Sequence, residues 1–236
     1  MAQGIDVLHT CDGEFNVPDK HAFEICREIV RRGLGEKLRW YAYCAPSPFS
    51  AELAQTMRAA GCAGIDFGAD SGSDAMLKYL GRDHKAADIL NATRWTREEG
   101  MAVMLDLLLG APGESRQSIE QTIELVKQAD PDRAGVSLGV RVYPGTELAV
   151  QLAEEKDAKG LTGGKNPFEP VFYLEPEIAP FIYDWLDTLI GDDKRFLFYD
   201  PSRPKQNYNY NSNQRLVEAI RRGYRGAFWD ILRRYQ

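Results

Sequence analysis

The stretch GIDFGADSGSD, residues 64–74, alternates apolar and polar side chains and then enters a turn rich in glycine and serine. Its two faces are made of Ile65, Phe67 and Ala69 on one side and of Asp66, Gly68 and Asp70 on the other. A two-residue period of this kind predicts a β-strand, because successive side chains of a strand point to opposite faces. One face is therefore expected to lie in a core, and the other to meet water or a polar ligand.

Four more apolar segments of similar length precede and follow this stretch, and a turn residue comes soon after each. They are Ile5–Cys11, Leu38–Cys44, Val103–Leu109 and Val136–Tyr143. Together with the first segment they start at residues 5, 38, 64, 103 and 136, a spacing typical of successive βα units. Apolar residues at helical spacing lie between them, and Ser115 is placed to cap one of these helices. The pattern predicts parallel strands with helices outside them.

Charged residues occupy the second face of three of these segments. In an ordinary parallel sheet helices cover both faces, and both faces are apolar. We therefore expect a barrel whose interior is a wet cavity that holds a polar ligand. Asp66, Asp70, Asp106 and Arg141 should converge there, with Arg141 paired to at least one aspartate. For Asp66 and Asp106, an architectural ion-pair network and direct contact with a ligand both stay open.

Composition excludes several classes of protein. At 44% hydrophobic and 27% charged residues the 236-residue chain is typical of a globular protein, and no apolar run approaches the length of a membrane-spanning helix. The N-terminal MAQGIDVLHT lacks the features of a signal peptide, so we expect a soluble, cytoplasmic protein without a membrane partner. A net charge of −6 argues against nucleic acid as a partner, although Gln214–Gln236 holds six arginines.

The four cysteines are widely spaced and form neither a CxxC nor a CxxxCxxC motif. This spacing excludes a local zinc or cluster motif, and a cytosolic location argues against a disulfide framework. Cys26 and Cys62 are expected in the core. Cys11 and Cys44 end adjacent strands and are expected to line the cavity. No metal ligand is assigned to this chain.

Active sites of parallel α/β folds gather at the carboxyl ends of the strands. Here these ends lead into five turns that contain Gly or Pro and a hydroxyl, thiol or carboxylate. The turns are residues 9–16, 43–46, 67–72, 109–114 and 143–146. One such turn is weak evidence, since βα loops use these residues in any case. Five in succession predict a ligand site at this end of the barrel.

Four ordered motifs make the sequence similar to a known family. They are CDGEFN (11–16), GIDFGADSGSD (64–74), LLLGAPGES (107–115) and YPGTELA (143–149). They resemble the radical S-adenosylmethionine (SAM) superfamily, above all the branch that often carries a cobalamin-binding domain. The likeness covers about residues 4–150. It implies an α/β fold, namely a partial (β/α) TIM-like barrel of the radical SAM type with about five βα units. An aromatic-rich extension that ends in a helix follows.

The resemblance also implies a division of the chain and a set of ligand-binding positions. Residues 1–155 would form the barrel without its first strand, and residues 156–236 an extension packed on it. The SAM methionine moiety would be bound by Cys11, Asp12, Gly13 and Glu14, and the ribose by Asp70 and Ser71. The pocket wall would consist of Gly110, Pro112 and Gly113, and the adenine would lie near Val142 and Tyr143. The positions that would contact or orient the substrate are Tyr43, Asp66, Asp106 and Arg141.

The sequence departs from the family in one respect. Members hold a 4Fe–4S cluster with CxxxCxxC in the loop after the first strand, and this sequence has neither that motif nor that strand. We therefore expect the cluster ligands upstream of this chain and the chain alone to be inactive. A natural remnant that binds another ligand is the other explanation.

The complete protein would be a radical SAM oxidoreductase or transferase. It would cleave SAM reductively, or methylate through a cobalamin held in a separate domain. Its expected partners are a small-molecule substrate and a reductant protein such as a flavodoxin or ferredoxin. The sequence does not specify the substrate.

Two other functions stay open. One is a non-redox barrel that binds a small polar or nucleotide-like ligand. The other is an interaction module that uses the arginine-rich C-terminal helix. In that case RNA binding should depend strongly on salt and be lost on charge reversal of Arg221, Arg222 and Arg225.

Overall fold

The computed structural model describes residues 4–154, 159–166, 169–198 and 213–235. The strands are β1 (Val7–His9), β2 (Arg39–Cys44), β3 (Cys62–Asp70), β4 (Ala102–Leu109), β5 (Arg133–Leu138), β6 (Val140–Val142), β7 (Leu161–Gly163), β8 (Val171–Tyr173) and β9 (Phe196–Phe198). The helices are α1 (Asp19–Arg31), α2 (Ala51–Ala59), α3 (Asp74–Tyr79), α4 (Ala86–Glu98), α5 (Arg116–Ala129), α6 (Glu147–Glu154), α7 (Ile182–Ile190), α8 (Gln214–Arg221) and α9 (Phe228–Arg234). Within these ranges no helix is long and apolar enough to cross a membrane.

Six described strands form one parallel sheet in the order β1-β2-β3-β4-β5-β9. Strands β1 to β5 lie side by side in the order in which they occur in the chain, and β9 pairs with the free side of β5. Tyr43 of β2 is in register with Asp66 of β3, and Gly68 of β3 with Asp106 of β4. This is the arrangement of a partial barrel, and the predicted fold class is confirmed.

Helices α1, α2, α4, α5 and α7 cover the convex face of the sheet. The apolar side of β3 lies fully in this core, where Ile65, Phe67 and Ala69 are 0% exposed. Moving a side chain as large as Ile or Phe from water into the core stabilises the folded state by roughly 1.5–3 kcal/mol. Ser115 caps α5 as predicted, since its hydroxyl accepts a hydrogen bond of 3.2 Å from the Ser118 amide.

The concave face is filled near the amino ends of the strands and accessible near their carboxyl ends. Tyr41, Met104 and Trp229 pack together in the filled half, and the Tyr41 and Trp229 rings meet edge to face at 5.9 Å. Trp229 belongs to α9, so the C-terminal helix closes this end of the barrel. In the other half Asp106 and Ser137 are exposed, which agrees with the predicted wet face.

The predicted strand Val136–Tyr143 is wrong in its second half. The chain breaks at Gly139, whose φ of +84° is a left-handed conformation that other residues rarely adopt. Residues before the break belong to β5 of the parallel sheet. Residues after it form β6, which pairs antiparallel with β8 in a separate three-stranded sheet, β6-β8-β7.

The C-terminal region contributes more to the barrel than the sequence suggested. Strand β9 pairs parallel with β5 and supplies the sixth strand of the main sheet. The described chain ends in a helix, α9, as predicted, but the arginine-rich segment also forms a second helix, α8, with a turn between the two. Gly226 lies in that turn against Tyr41, and a Cβ atom there would stand 2.6 Å from the Tyr41 hydroxyl. The division at residues 155 and 156 stays a prediction.

A buried carboxylate joins the terminal helix to the sheet. Asp230 of α9 is 0% exposed and accepts hydrogen bonds from the Tyr41 hydroxyl at 2.5 Å and from Arg39 Nη2 at 2.7 Å. Arg233 and Arg234 of the same helix bond to it at 2.6 and 3.0 Å. Burial alone would raise the pKa of Asp230, but these hydrogen bonds and charges hold it below its ordinary value.

We predict that Asp230→Asn lowers the free energy of unfolding by about 3 kcal/mol, because removing one member of a buried ion-pair network leaves the others uncompensated. Urea denaturation at pH 7 measures the change. Glu218→Gln removes an exposed carboxylate that pairs with Arg222 on α8, and serves as the control, with no measurable loss. Equal midpoints for wild type and Asp230→Asn would contradict the role given to this network.

Candidate functional site

Phe15 and Asn16, the last two residues of the CDGEFN motif, hold the turn after β1 in place. Phe15 is buried against Trp40, with ring centroids 5.2 Å apart, and its amide donates to the Tyr43 carbonyl. Asn16 is 0% exposed, accepts from the Ala45 amide at 2.8 Å and donates to the Ala45 carbonyl at 2.9 Å. These contacts fix the turn beside the end of β2. The tip of the turn, residues 11–14, is exposed at the mouth of the barrel.

An arginine connects two of the predicted SAM-binding positions. Asp70 ends β3 with a φ of +55°, a left-handed conformation that Asp tolerates better than most residues. Its carboxylate accepts a hydrogen bond from Arg82, whose Nη1 also lies 3.8 Å from Glu14 Oε1. The Arg82 side chain is 38% exposed. The rim therefore carries a cation between two carboxylates, and its guanidinium is accessible to a ligand.

Ser71 points away from the mouth. It is 0% exposed, and its hydroxyl lies 3.2 Å from the Thr122 hydroxyl on α5. It also accepts from the Ser73 amide at 3.1 Å. These bonds hold the turn after β3 against α5, so Ser71 has a structural role at this point whatever it does toward a ligand.

Two carboxylates organise the glycine-rich turn after β4. Glu114 is 3% exposed and accepts from the Gly110 amide at 3.1 Å, while Glu175 accepts from the Gly113 amide at 2.8 Å. Burial raises the pKa of Glu114 above its ordinary value, although its hydrogen bonds oppose the shift. Pro112 is half-buried between them. The shape of this predicted pocket wall thus depends on residues from both halves of the chain.

Two aspartates meet on the concave face. Asp66 is 1% exposed, and neither of its carboxylate oxygens has a hydrogen-bond partner among the described residues. Burial raises its pKa well above the ordinary value, and the charge of Asp106 raises it further. Asp106 lies within the same concavity, where partial desolvation and then the charge of Asp70 raise its pKa to about 6. Asp106 thus interacts electrostatically with both Asp66 and Asp70, three of the four residues that were predicted to converge.

Aromatic rings stand beside these carboxyl groups. Tyr43, in register with Asp66, has its ring centroid 4.9 Å from that of His9, at an interplanar angle of 43°. Both side chains are accessible, Tyr43 to 36%. The interior near the mouth therefore combines an acidic wall with an aromatic one.

Arg141 does not pair with the aspartates, contrary to our expectation. It lies on β6, outside the parallel sheet, and its guanidinium stacks 4.7 Å above the Tyr143 ring. Arg141, Val142 and Tyr143 instead line a separate open cavity of about 780 Å³ between β6 and α6. The β6 residues that line this cavity come directly after β5 in the chain.

The cysteines are not arranged as a metal site. Cys44 was expected to line the cavity, but it is 1% exposed in the helix-facing core with Cys26 and Cys62. Burial raises the pKa of all three thiols. Cys11 is exposed at the mouth. In the described part of the chain no three His, Cys, Asp or Glu side chains could hold a metal ion together, so these residues do not fit a 4Fe–4S cluster.

Comparison with known proteins agrees with this geometry. Residues 2–126, more than half of the chain, match the sequence pattern of the radical SAM superfamily. The chain belongs to the radical SAM superfamily. It is 30% identical over 97% of its length to tryptophan 2-C-methyltransferase of Streptomyces laurentii, and covers 48% of that protein. It is 24% identical over 92% of its length to an anaerobic magnesium-protoporphyrin IX monomethyl ester cyclase of Cereibacter sphaeroides, and covers 42% of it.

Solved structures give the same result. The radical SAM methyltransferase TsrM of Kitasatospora setae, bound to tryptophan and the SAM analogue aza-SAM, superposes with a TM-score of 0.89 at 29% identity over 99% of this chain. A second structure of TsrM, with cobalamin and a [4Fe–4S] cluster, gives a TM-score of 0.87 at 27% identity. This chain covers 52% of TsrM in both. The chain thus spans about half the length of these relatives.

Sequence reasoning missed Arg82 and Glu175. Arg82 follows α3 and lies 12 positions from Asp70, and Glu175 lies 62 positions from Gly113, so no local pattern connects these partners. A search for a cation to balance the acidic strand ends would have found Arg82 in the segment GRDH, residues 81–84. Nothing in the sequence marks Glu175.

We predict that Asp106 makes the stability of the protein depend on pH. Its pKa is higher in the folded state than its ordinary 3.8, so stability is lost as the pH rises from 3.8 through about 6. Asp66, Asp70 and Tyr43 are the neighbouring titratable groups. Asp106→Asn should flatten this part of the profile in urea denaturation between pH 4 and pH 7. Asp6→Asn, at the opposite end of the sheet, is the charge-matched control, and parallel profiles for all three proteins would contradict the prediction.

Proposed function

We propose that this chain is the SAM- and substrate-binding barrel of a cobalamin-dependent radical SAM methyltransferase that acts on a small molecule. The observation that carries the proposal is the likeness to TsrM, which extends over nearly the whole chain in both sequence and fold. The Cereibacter relative performs a different reaction, and methyl transfer is favoured because both methyltransferases match this chain at higher identity.

The rim residues are suited to SAM. Its methionine moiety carries an ammonium and a carboxylate, and the rim presents Glu14 and Arg82 less than 4 Å apart. Glu14 and Asp12 would take the ammonium, and Arg82 the carboxylate, since charge-assisted hydrogen bonds are the strong ones. Asp70 would bond the ribose while holding Arg82 in place. Cys11 and Gly13 would contact the same moiety through the exposed tip of their turn.

The remaining predicted positions would complete the pocket. Gly110, Pro112 and Gly113 would form its wall, fixed by Glu114 and Glu175. Val142 and Tyr143 would meet the adenine from the start of the second sheet, and Ser71 would support Asp70 through α5. Arg141 would reach a substrate group from the β6 side. All of these roles follow from the family resemblance, although Arg141, Val142 and Tyr143 line the separate cavity beside β6.

The substrate would occupy the concave face next to Tyr43, Asp66 and Asp106. Bound cobalamin would supply the methyl-carrying chemistry. The chain's own residues would hold SAM at the rim, orient the substrate below it and limit the access of water. A cluster held elsewhere, and a reductant such as a flavodoxin or ferredoxin, would complete the system.

The arginine-rich terminus supports the alternative function less well. Arg233 and Arg234 are turned toward the buried Asp230, and Arg222 pairs with Glu218. These three cations pair within the chain itself, which leaves Arg215, Arg221 and Arg225 as the exposed arginines for an RNA contact.

We predict that the chain binds SAM and that Arg82→Ala weakens this binding by about tenfold or more, because a charge-assisted bond to the carboxylate is lost. Isothermal titration calorimetry measures the affinity. Arg94→Ala removes an exposed arginine that pairs with Glu98 on α4, and should leave the affinity unchanged. Wild-type protein that does not bind SAM, or equal losses in both variants, would argue against the proposed site.

A chimaera tests the reaction class. Replacing the matching half of Kitasatospora TsrM by this chain should give a protein that transfers a 13C-labelled methyl group from SAM to a small molecule under anaerobic conditions. Mass spectrometry of a substrate panel that includes tryptophan detects the label, and native TsrM is the positive control. Reductive cleavage of SAM without transfer of the label would instead indicate hydrogen abstraction.

A further inference from the structure

The turn between β4 and α5 is of a kind that often binds phosphate. Residues 110–115, GAPGES, connect the last residue of β4 to the first residue of α5. A glycine-rich turn between a strand and a helix is a common phosphate site, because its amides and the start of the helix point at the anion. Gly110 and Gly113 have φ values of +95° and +81°, which residues with a side chain rarely adopt. The backbone of this turn is therefore compatible with an anion.

The side chains of the turn argue against a phosphate. In many nucleotide-binding proteins such a turn ends with Gly, Lys and then Ser or Thr, and the lysine pairs with the phosphates. Here Gly113, Glu114 and Ser115 occupy the three positions directly before α5. The Ser115 hydroxyl is used within the protein, where it caps the Ser118 amide. A carboxylate thus stands where a phosphate site would need a cation.

Two carboxylates of the protein bind the glycine amides of this turn. Glu114 is 3% exposed and accepts from the Gly110 amide at 3.1 Å and from the Ser118 hydroxyl. Glu175 Oε2 accepts from the Gly113 amide at 2.8 Å. Both glycine amides that a phosphate would need are therefore already bonded to an anion of the chain itself.

Glu175 is the more accessible of the two carboxylates. It is half-buried and follows β8, so it reaches the turn from the second sheet. Its amide donates to the Gly110 carbonyl at 2.9 Å, and the Tyr173 hydroxyl donates to its Oε2 at 3.3 Å. These bonds hold its charge beside Gly113, which is exposed. An anion that approached Gly113 would meet a like charge at short range and be repelled.

Among the described residues no cation is bonded to either of these two carboxylates. Arg82 is bonded to Asp70 and lies 3.8 Å from Glu14, so it serves the turns after β1 and β3. Arg116 follows the glycine turn directly, but its guanidinium stacks 3.7 Å from the centre of the Phe181 ring, beside α7. The wall formed by the glycine turn is therefore acidic.

We infer that Glu175 makes the site reject a 5′-phosphate, so that it takes an adenosine whose 5′ substituent is neutral or cationic. Glu175 occupies the Gly113 amide that a phosphate would use, and its charge repels the anion. SAM meets the requirement, because its 5′ substituent is a sulfonium. The SAM carboxylate that Arg82 would bind lies at the far end of the methionine chain. The inference deepens the proposed function by naming a specificity determinant, and rests on that function for the place of the adenosine.

Binding of 5′-methylthioadenosine and of AMP to the 236-residue chain tests the inference, measured by calorimetry. The probes share the adenosine and differ in carrying a neutral thioether or a phosphate. Wild type should bind AMP about tenfold more weakly or worse, because of the like charge. Glu175→Ala frees the amide and removes the charge, and should reduce this ratio by about fivefold or more. Glu120→Ala removes an exposed carboxylate of α5 and is the matched control, with the ratio unchanged.

Glu175→Gln separates the charge from the hydrogen bond. It keeps an oxygen acceptor for the Gly113 amide and loses the charge, so its ratio should lie between those of wild type and Glu175→Ala. Far-UV circular dichroism and the urea midpoint show whether each variant keeps the fold. Should Glu175→Ala unfold, the ratio of Glu175→Gln decides the question, because this substitution preserves the size of the side chain.

Nuclear magnetic resonance of 15N-labelled Glu175→Ala locates the phosphate. AMP should shift the Gly113 amide signal more than 5′-methylthioadenosine does, because the phosphate accepts the freed hydrogen bond. A gain in AMP affinity that leaves this signal unchanged would place the phosphate elsewhere and overturn the inference.

The two proposals fail in different ways. Equal wild-type affinity for AMP and 5′-methylthioadenosine, or an unchanged ratio in both Glu175 variants, would overturn the inference and leave SAM binding in place. Wild-type protein that binds neither SAM nor 5′-methylthioadenosine would argue against the proposed function itself. Tight binding of AMP without binding of SAM would overturn both proposals and favour a barrel for nucleotides.

Discussion

Each strand of the main sheet sends alternate side chains to opposite faces, and described helices cover one of those faces. On β3 this constraint places Ile65 and Phe67 in the helix-facing core and Asp66 on the concave side. The rest of the architecture follows from the uncovered face. One half of it is filled by Tyr41, Met104 and Trp229, and the other half is left for polar groups. The fold thereby separates the part of the interior that stabilises the protein from the part that can bind a ligand.

The mouth of the barrel is organised by contacts between distant segments. Arg82 joins the turns after β1 and β3, and Glu175 bonds to the turn after β4. Such contacts explain why a loop rich in glycine has a defined shape here. Because the partners lie on different elements, a change in one turn is transmitted to its neighbours. The turns after β1, β3 and β4 therefore depend on partners outside their own loops.

The sequence predicts what is local and misses what is not. The alternation in β3 and β4 and the cap at Ser115 are properties of a few neighbouring residues, and they were confirmed. The break at Gly139 escaped notice because the apolar pattern continues through it, although the chain changes sheets there. Strand β9 has three residues, and each of them pairs with a residue of β5 that lies 62 positions earlier, so its sequence alone did not identify it. Among the site residues, the aspartates were predicted from strand parity, whereas Arg82 depends on the turn geometry that positions it.

Two buried aspartates of the same barrel differ in the number of hydrogen-bond donors around them. Asp230 is fully buried at one end, where Tyr41, Arg39, Arg233 and Arg234 surround it with donors. Asp66 is almost as buried on the concave face, and has none among the described residues. The chain can therefore satisfy a buried carboxylate where stability is the requirement. At Asp66 burial and the charge of Asp106 instead raise the pKa, which favours the neutral carboxyl group, and a neutral group costs less to bury without a partner than a charged one.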